Sequence, residues 1–249
     1  MSVTAYWRIE QKIAPGLRYS QVPYKDVLDK LVTSNTRWID VGCGHAVLPD
    51  WMPKRERLLV ERAASVIGVD IDAESASKHR SIRDIRIGSI YELPLESDSA
   101  DLVTANMVVE HLEHPTRAFS EVKRVLRVGG KFLIHTPNLK GYIAGISHLL
   151  PPVVRRGLAV ILENRHEEDV YKTYYHCNTQ EAILRAADES GLEVLNIRHV
   201  PTNAVCKSLT PVAVIELAWI RATMTHFRRL RTNMIAVLSK PARAQIRVA

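Results

Sequence analysis

The stretch Trp38-Ile39-Asp40-Val41-Gly42-Cys43-Gly44-His45 constrains this chain more than any other. Its first half is apolar and β-branched, as a strand buried on both faces is. Its second half holds two glycines one residue apart, the mark of a tight turn where backbone approaches something closely. A segment compatible with a helix follows, giving the strand, glycine turn and helix of a nucleotide-binding first βα unit. A dinucleotide site needs a third glycine, spaced G-x-G-x-x-G, so that a pyrophosphate can sit on the helix N-terminus. Val47 stands at that position, and Asp40 lies two residues before Gly42. A carboxylate at the strand end repels a pyrophosphate and suits a ligand that carries an ammonium group.

Further strands follow in order. Ser65-Val66-Ile67-Gly68-Val69-Asp70 reads as a second buried strand ending in an acid, with Asp72 two residues on as a rival. A carboxylate there can accept hydrogen bonds from both hydroxyls of a ribose. Residues 84–87 form a short third strand, followed by Gly88-Ser89-Ile90-Tyr91-Glu92-Leu93-Pro94-Leu95. A turn at 97–99 feeds a fourth strand that ends near Asn106-Met107. Pro115 opens a helix whose apolar face is Phe119, Val122, Val125 and Leu126; Arg127-Val128-Gly129-Gly130 stops it, and residues 131–135 are the fifth strand.

Four of these segments, in this order, closely resemble the class I S-adenosylmethionine-dependent methyltransferases of the type 11 and ubiquinone/menaquinone-biosynthesis group. They are D-x-G-x-G, the acid ending strand two, the G-S-x-x-x-L-P segment and the glycine pair before strand five. The resemblance covers residues 37–138 by motif and 177–239 by element order. It implies an α/β fold with a doubly wound, mostly parallel seven-stranded sheet and helical insertions, and S-adenosyl-L-methionine as cofactor. Its glycine turn implies backbone contact at Gly42, Cys43, Gly44 and His45, with Asp40 holding the amino-acid end. It implies Asp70 on the ribose, Ile71 on the adenine, Ser89 and Ile90 beside the adenine, and Asn106 and Met107 on the methyl-donor side. Ser89 replaces the family's Asp, which weakens that side-chain contact without changing the segment's identity.

At 249 residues the chain suits one large domain with insertions. Residues 1–36 read as an N-terminal helical cap, with helical spacing from Val22 to Val32 and a short mixed stretch before it. Tyr6, Trp7, Tyr19 and Tyr24 there either lie over the cofactor or pack on the sheet. Residues 48–62 suit a helix broken or kinked at Pro53. Residues 139–176, interrupted by Gly141, Gly145 and Pro151-Pro152, read as a lid or substrate insertion. Asn178-Thr179 cap a helix over 180–190 that ends at Gly191. A sixth strand spans 193–200, a second insertion 201–230, and a last strand 233–239.

Three widely spaced cysteines, Cys43, Cys177 and Cys206, indicate neither a zinc site nor a disulfide framework. No apolar run approaches the ~20 residues that span a bilayer. The expected setting is the cytoplasm, with a peripheral membrane contact suggested by the apolar and basic residues of 153–162 and 227–231. The net charge of +7 fits anionic surfaces or substrates.

Methyl transfer from a sulfonium requires alignment and exclusion of water, and a general base where the acceptor is a hydroxyl. His111, following strand four, is the first candidate base, or else a helix-start histidine bonded to backbone, with Glu110 beside it to orient a histidine, bind substrate or cap the next helix. His135 and His176 are weaker candidates. Tyr174, Tyr175 and His176 are candidate acceptor-binding residues, and no metal site is indicated. The acceptor expected is a small molecule, a glycan or a lipid-linked compound methylated at oxygen. An RNA or protein methyltransferase is the alternative, although no amino-base motif of the N-P-P type follows strand four. A cofactor-binding but non-catalytic partner subunit is another.

Overall fold

The computed structural model describes residues 3–149, 172–207 and 210–242. The strands are β1 (Arg37–Val41), β2 (Ser65–Asp70), β3 (Asp84–Ile87), β4 (Ala100–Asn106), β5 (Leu126–Pro137), β6 (Glu193–Val200) and β7 (Asn233–Ser239). They form one sheet in the order β3-β2-β1-β4-β5-β7-β6. The pairs among β1 to β5 are parallel, and β7 runs antiparallel to both β5 and β6. This is the expected mostly parallel, doubly wound sheet.

Successive side chains of a strand point to opposite faces, so each central strand supplies two cores. Ile39, Val41, Val103, Phe132 and Ile134 pack on one face with α5 (Pro115–Val125) and α7 (Gln180–Ser190). Trp38, Leu102, Leu133 and Ile235 pack on the other with Tyr24 and Leu28 of α2 (Gln21–Leu31) and Leu59 of α3 (Pro53–Arg62). A third apolar cluster joins Tyr6 of α1 (Val3–Ile13) to Ala213, Leu217 and Ile220 of α8 (Thr210–Thr225), with Tyr142 of α6 (Tyr142–Leu149) against it.

Several local expectations need correction. The short mixed stretch before residue 14 is an eleven-residue helix, because Tyr6, Ile9 and Ile13 gain an apolar partner only when α8 packs on them. Pro53 does not kink a helix begun at 48; it starts α3 at its first turn, where a missing N–H costs nothing. Residues 48–50 are instead held by Arg80, which donates to the carbonyls of Leu48 and Pro49 and to Asp50 and the buried Glu56. Strand β5 begins at Leu126 rather than 131, since Leu126 pairs with Ala100 ahead of a register shift. Gly145 sits inside α6 instead of ending it. Residues 150–171, with the anticipated basic and apolar stretch at 153–162, lie outside the described residues. Among the described residues no helix is long and apolar enough to cross a membrane.

Candidate active site

The carboxyl ends of β1, β2, β4 and β5 share one rim, where ligands of open α/β sheets bind. At the tip of β1 the chain turns through Gly42 (φ +64°) and Gly44 (φ +48°), left-handed backbone that favours glycine. A Cβ on Gly42 would overlap Val108 Cγ2, so the exit of β4 packs directly on the turn. Gly44 has open space by comparison, with Ser75 Oγ 3.6 Å from its added Cβ.

Asp70, at the tip of β2, accepts hydrogen bonds from Gly44 N–H (2.8 Å) and Asp72 N–H (2.9 Å). Its carboxylate is thereby fixed beside the glycine turn. The Asp72 side chain is engaged elsewhere, capping α4 (Ala73–Ser77) by accepting from Glu74 N–H and Ser75 N–H. The neighbouring Ile71 side chain is 65% exposed. Ser89 Oγ accepts from Tyr91 N–H, and Ile90 is buried in the sheet core. Cys43 is also buried, its sulfur beneath the turn near Gly68, and burial pushes its thiol well up. His45 is exposed, with its carbonyl accepting from Arg80 N–H.

Strand register assembles a polar cluster under this rim. Asp40 pairs with Thr104, and Asn106 with His135. Trp38 Nε1 donates to Thr104 Oγ1 at 2.7 Å, and Thr104 Oγ1 donates to Asp40. Burial pushes the Asp40 carboxyl up to about 7, against the lowering effect of the Thr104 bond and with a smaller push from Glu56 and Asp70. Asn233 Nδ2 lies 3.5 Å from His135 Nε2, while His135 Nδ1 lies 2.8 Å from Asn106 Oδ1. Asn106 Nδ2 donates to the Val47 carbonyl, and Gln21 Nε2 donates to Asn106 Oδ1 (3.2 Å), tying α2 to the rim. Burial drives His135 down to about 3. It is therefore neutral at ordinary pH and packed under Tyr24, with ring centroids 5.3 Å apart. Tyr24 thus packs on the sheet, whereas Tyr6 packs against α8 and Tyr19 donates to the buried Glu10.

Beyond Asn106, Met107 takes φ +60° and its N–H donates to the His135 carbonyl. A 3-10 turn, Val109–His111, follows. Residues 110–113 are laced to the segment returning from the first insertion. Tyr174 N–H and Tyr175 N–H donate to the Glu110 carbonyl (2.9 and 3.1 Å), His111 Nδ1 meets the Lys172 carbonyl at 2.9 Å, and His176 Nδ1 meets the Glu113 carbonyl at 2.9 Å. The Glu110 carboxylate is buried and accepts from Thr136 Oγ1, which also accepts from Asn178 Nδ2. Glu110 does not cap α5; His114 holds that position without a side-chain bond. The fold thus brings Glu110, His111, Tyr174, Tyr175 and His176 together, and keeps His135 apart from them in the buried cluster. Sequence reasoning missed Thr104, Gln21, Asn233, Thr136 and Asn178, whose roles come from cross-strand register and from an insertion's return point. Among the described residues no group of three or more His, Cys, Asp or Glu side chains is placed to hold a metal.

Comparison with known proteins gives a consistent result. A methyltransferase-domain family profile matches residues 39–134. A probable S-adenosylmethionine-dependent methyltransferase of Mycolicibacterium smegmatis is 31% identical over 200 residues, covering 78% of this chain and 71% of that one. The ubiquinone biosynthesis O-methyltransferase of Hahella chejuensis is 25% identical, covering 81% and 82% of the two chains. Three other relatives are matched over only 38–42% of their own length. Among solved structures, a putative methyltransferase in complex with the Haloferax volcanii Trm112 methyltransferase activator superposes with a TM-score of 0.61 at 16% identity, over 96% of each chain.

Proposed function

Since the chain belongs to the S-adenosylmethionine-dependent methyltransferases, we propose that it methylates a hydroxyl oxygen of a small-molecule, glycan or lipid-linked acceptor, with His111 as general base. The residues on the rim suit the cofactor. The open turn at Gly44 accommodates close backbone approach, and Asp70 offers a fixed carboxylate to the ribose hydroxyls. Ile71 presents an exposed apolar side chain for the adenine. Asp40, strained toward neutrality by burial, gains most from a cation nearby, which the ammonium of the methionine moiety supplies. Gly42, Cys43 and His45 contribute backbone. Ser89 and Ile90 contribute the segment beside the adenine, with the Ile90 side chain serving the core. Asn106 and Met107 border the methyl-donor end.

When bound, S-adenosylmethionine supplies a methyl group on a positively charged sulfur, open to in-line displacement. The chain has to place an acceptor oxygen in line and to take its proton. The observation that carries the assignment to His111 is its bond to the Lys172 carbonyl. A carbonyl can only accept, so Nδ1 bears the hydrogen and the lone pair of the neutral ring lies on Nε2. The acceptor hydroxyl would give its proton to Nε2 as its oxygen takes the methyl group from the sulfonium, whose C–S bond breaks to a neutral thioether, and the same carbonyl would steady the imidazolium through Nδ1–H. Glu110 acts as a positioning residue: its carbonyl and carboxylate hold the 172–178 segment and β5 against the His111 turn. Tyr174, Tyr175 and His176 line the acceptor side. The similarity to a ubiquinone O-methyltransferase favours oxygen as the acceptor atom.

The reading is tested by a screen of labelled methyl transfer into quinol, sugar and lipid-extract pools, repeated with His111→Ala. Transfer to a hydroxyl that collapses in the variant, with S-adenosylhomocysteine affinity retained, supports the reading. Transfer only to nitrogen or carbon, or full turnover by the variant, overturns it.

A further inference from the structure

The geometry points to a membrane-docking surface on the outer face of α8, fitted to an anionic lipid bilayer. Residues 201–232 leave the sheet at the end of β6 and return at Asn233, which pairs with Pro137 at the carboxyl end of β5. The insertion therefore stands on the same rim as the glycine turn and the His111 segment.

Helix α8 is apolar on both sides. Ala213, Leu217 and Ile220 face inward to α1. Val212, Ile215 and Trp219, spaced i, i+3 and i+7, face outward with Val214, and Ile215 is 71% exposed. Phe227 stacks on Trp219, with ring centroids 6.0 Å apart and planes 16° from parallel. The packed neighbours extend the theme, since Trp7 of α1 and Ile146 of α6 are also more than half exposed. A helix hydrophobic all round belongs in a core or against lipid, and an exposed apolar patch of this kind marks an interaction surface.

Charge selects the occupant. From 210 to 231 the sole acid is Glu216, and it is turned inward, accepting from Tyr142 Oη (2.5 Å), Val205 N–H and Cys206 N–H. Arg221, His226, Arg228 and Arg229 are exposed beside the apolar face. Burial, with the nearby charges of Arg228 and Arg198, lowers the neighbouring Arg231. Exposed aliphatics, an aromatic pair and exposed arginines are what an interfacial helix offers to the headgroup boundary of an anionic leaflet. A nucleic-acid surface would have no use for Ile215. At 16 residues α8 is about 24 Å long, too short to span a bilayer core of about 30 Å, so it lies on the surface. Docked this way, the rim of the active site faces the leaflet.

The experiment is flotation of the full chain with vesicles of equal parts phosphatidylcholine and phosphatidylglycerol, and with phosphatidylcholine alone. Binding is expected to the mixed vesicles at low salt and to be far weaker to the neutral ones. The double variant Ile215→Ser/Trp219→Ser should lose at least ten-fold in partitioning. The triple variant Arg221→Ala/Arg228→Ala/Arg229→Ala should lose about five-fold per arginine. Unchanged melting and S-adenosylhomocysteine affinity establish that both variants remain folded, and neither readout depends on the acceptor or on His111. Absence of wild-type binding to the mixed vesicles overturns the proposal, as does equal binding by both variants. A wild-type dimer in sedimentation velocity that dissolves in the Ile215→Ser/Trp219→Ser variant assigns the face to a second copy and overturns it as well.

Discussion

The two halves of the rim, one proposed for the cofactor and the other for the acceptor, are built on different principles. The first is backbone-made: two left-handed glycines, a strand exit packed on one of them, and Asp70 holding the turn through Gly44 N–H. The second is made of side chains and helices that meet only because distant segments return to the same edge. His111 is oriented by the carbonyl of residue 172, Thr136 is bonded to both Glu110 and Asn178, and α8 is backed by α1. A backbone cradle tolerates little change and binds one invariant ligand. A side-chain wall can be rewritten for each acceptor without disturbing the cradle.

The contrast predicts that substitutions separate cleanly into binding and turnover effects. The largest effect is expected of His111→Ala, with turnover down by roughly 10²–10⁴ and cofactor affinity within a few-fold. Rapid-mix turnover beside calorimetric titration of S-adenosylhomocysteine checks it. The loss should shrink for acceptors of lower pKa, and near-normal turnover at neutral pH would make His111 structural.

On the other half, Gly42→Ala combines a left-handed φ with an overlap on Val108. It should cost about 2–3 kcal/mol of stability in denaturant melts and lose cofactor binding with it. A variant that melts and binds like wild type would mean the turn is less tightly built than its contacts indicate.

Asp70→Ala should weaken cofactor binding by about 1.5–3 kcal/mol. Asp72→Ala should instead lose about 1 kcal/mol of stability, the scale of a helix cap, with affinity retained. The reverse pattern would move the ribose role to Asp72. In the same thermal assay S-adenosylhomocysteine should raise the wild-type Tm by mass action and NAD should not.

A pH slope, not a single loss, is expected of Asp40. In the fold it keeps its proton up to about pH 7; in the unfolded chain a carboxyl releases it near about 3.9. Between those values the native state binds more protons, so Asp40 makes the cofactor-free protein less stable as pH rises, by up to about 1.4 kcal/mol per pH unit. Asp40→Asn should remove that component of the slope. Parallel wild-type and variant stability curves from pH 4 to 7 would show that Asp40 is ionised throughout.

The strand, turn and acid of the proposed cradle were legible in the sequence because their signals are local. D-x-G-x-G encodes strand, turn and acid within a few positions, and the acid ending β2 needs no partner to be recognised. The preference for Asp70 over Asp72 is supported by two backbone N–H groups that engage Asp72 as a helix cap. On the acceptor side, the sequence suggested His111 and the tyrosines but not why they belong together. The carbonyl of Lys172, sixty-one residues away, supplies the reason. His135 shows the same limit, since only burial against Tyr24 removes it from the set of usable bases.

The sequence by itself determined the succession of strands, the first βα turn, the capped helix ending at Gly191 and the cofactor class, because hydrophobic period, glycine and capping signals act over a few residues. Tertiary structure alone decided that Thr104 sits against Asp40, that Asn233 reaches His135, that α1 packs on α8 and that α8 keeps one apolar face outward. Each of these depends on register or packing between segments far apart in the chain. A strand's pattern states which residues share a face, but not which residue of the neighbouring strand each one meets.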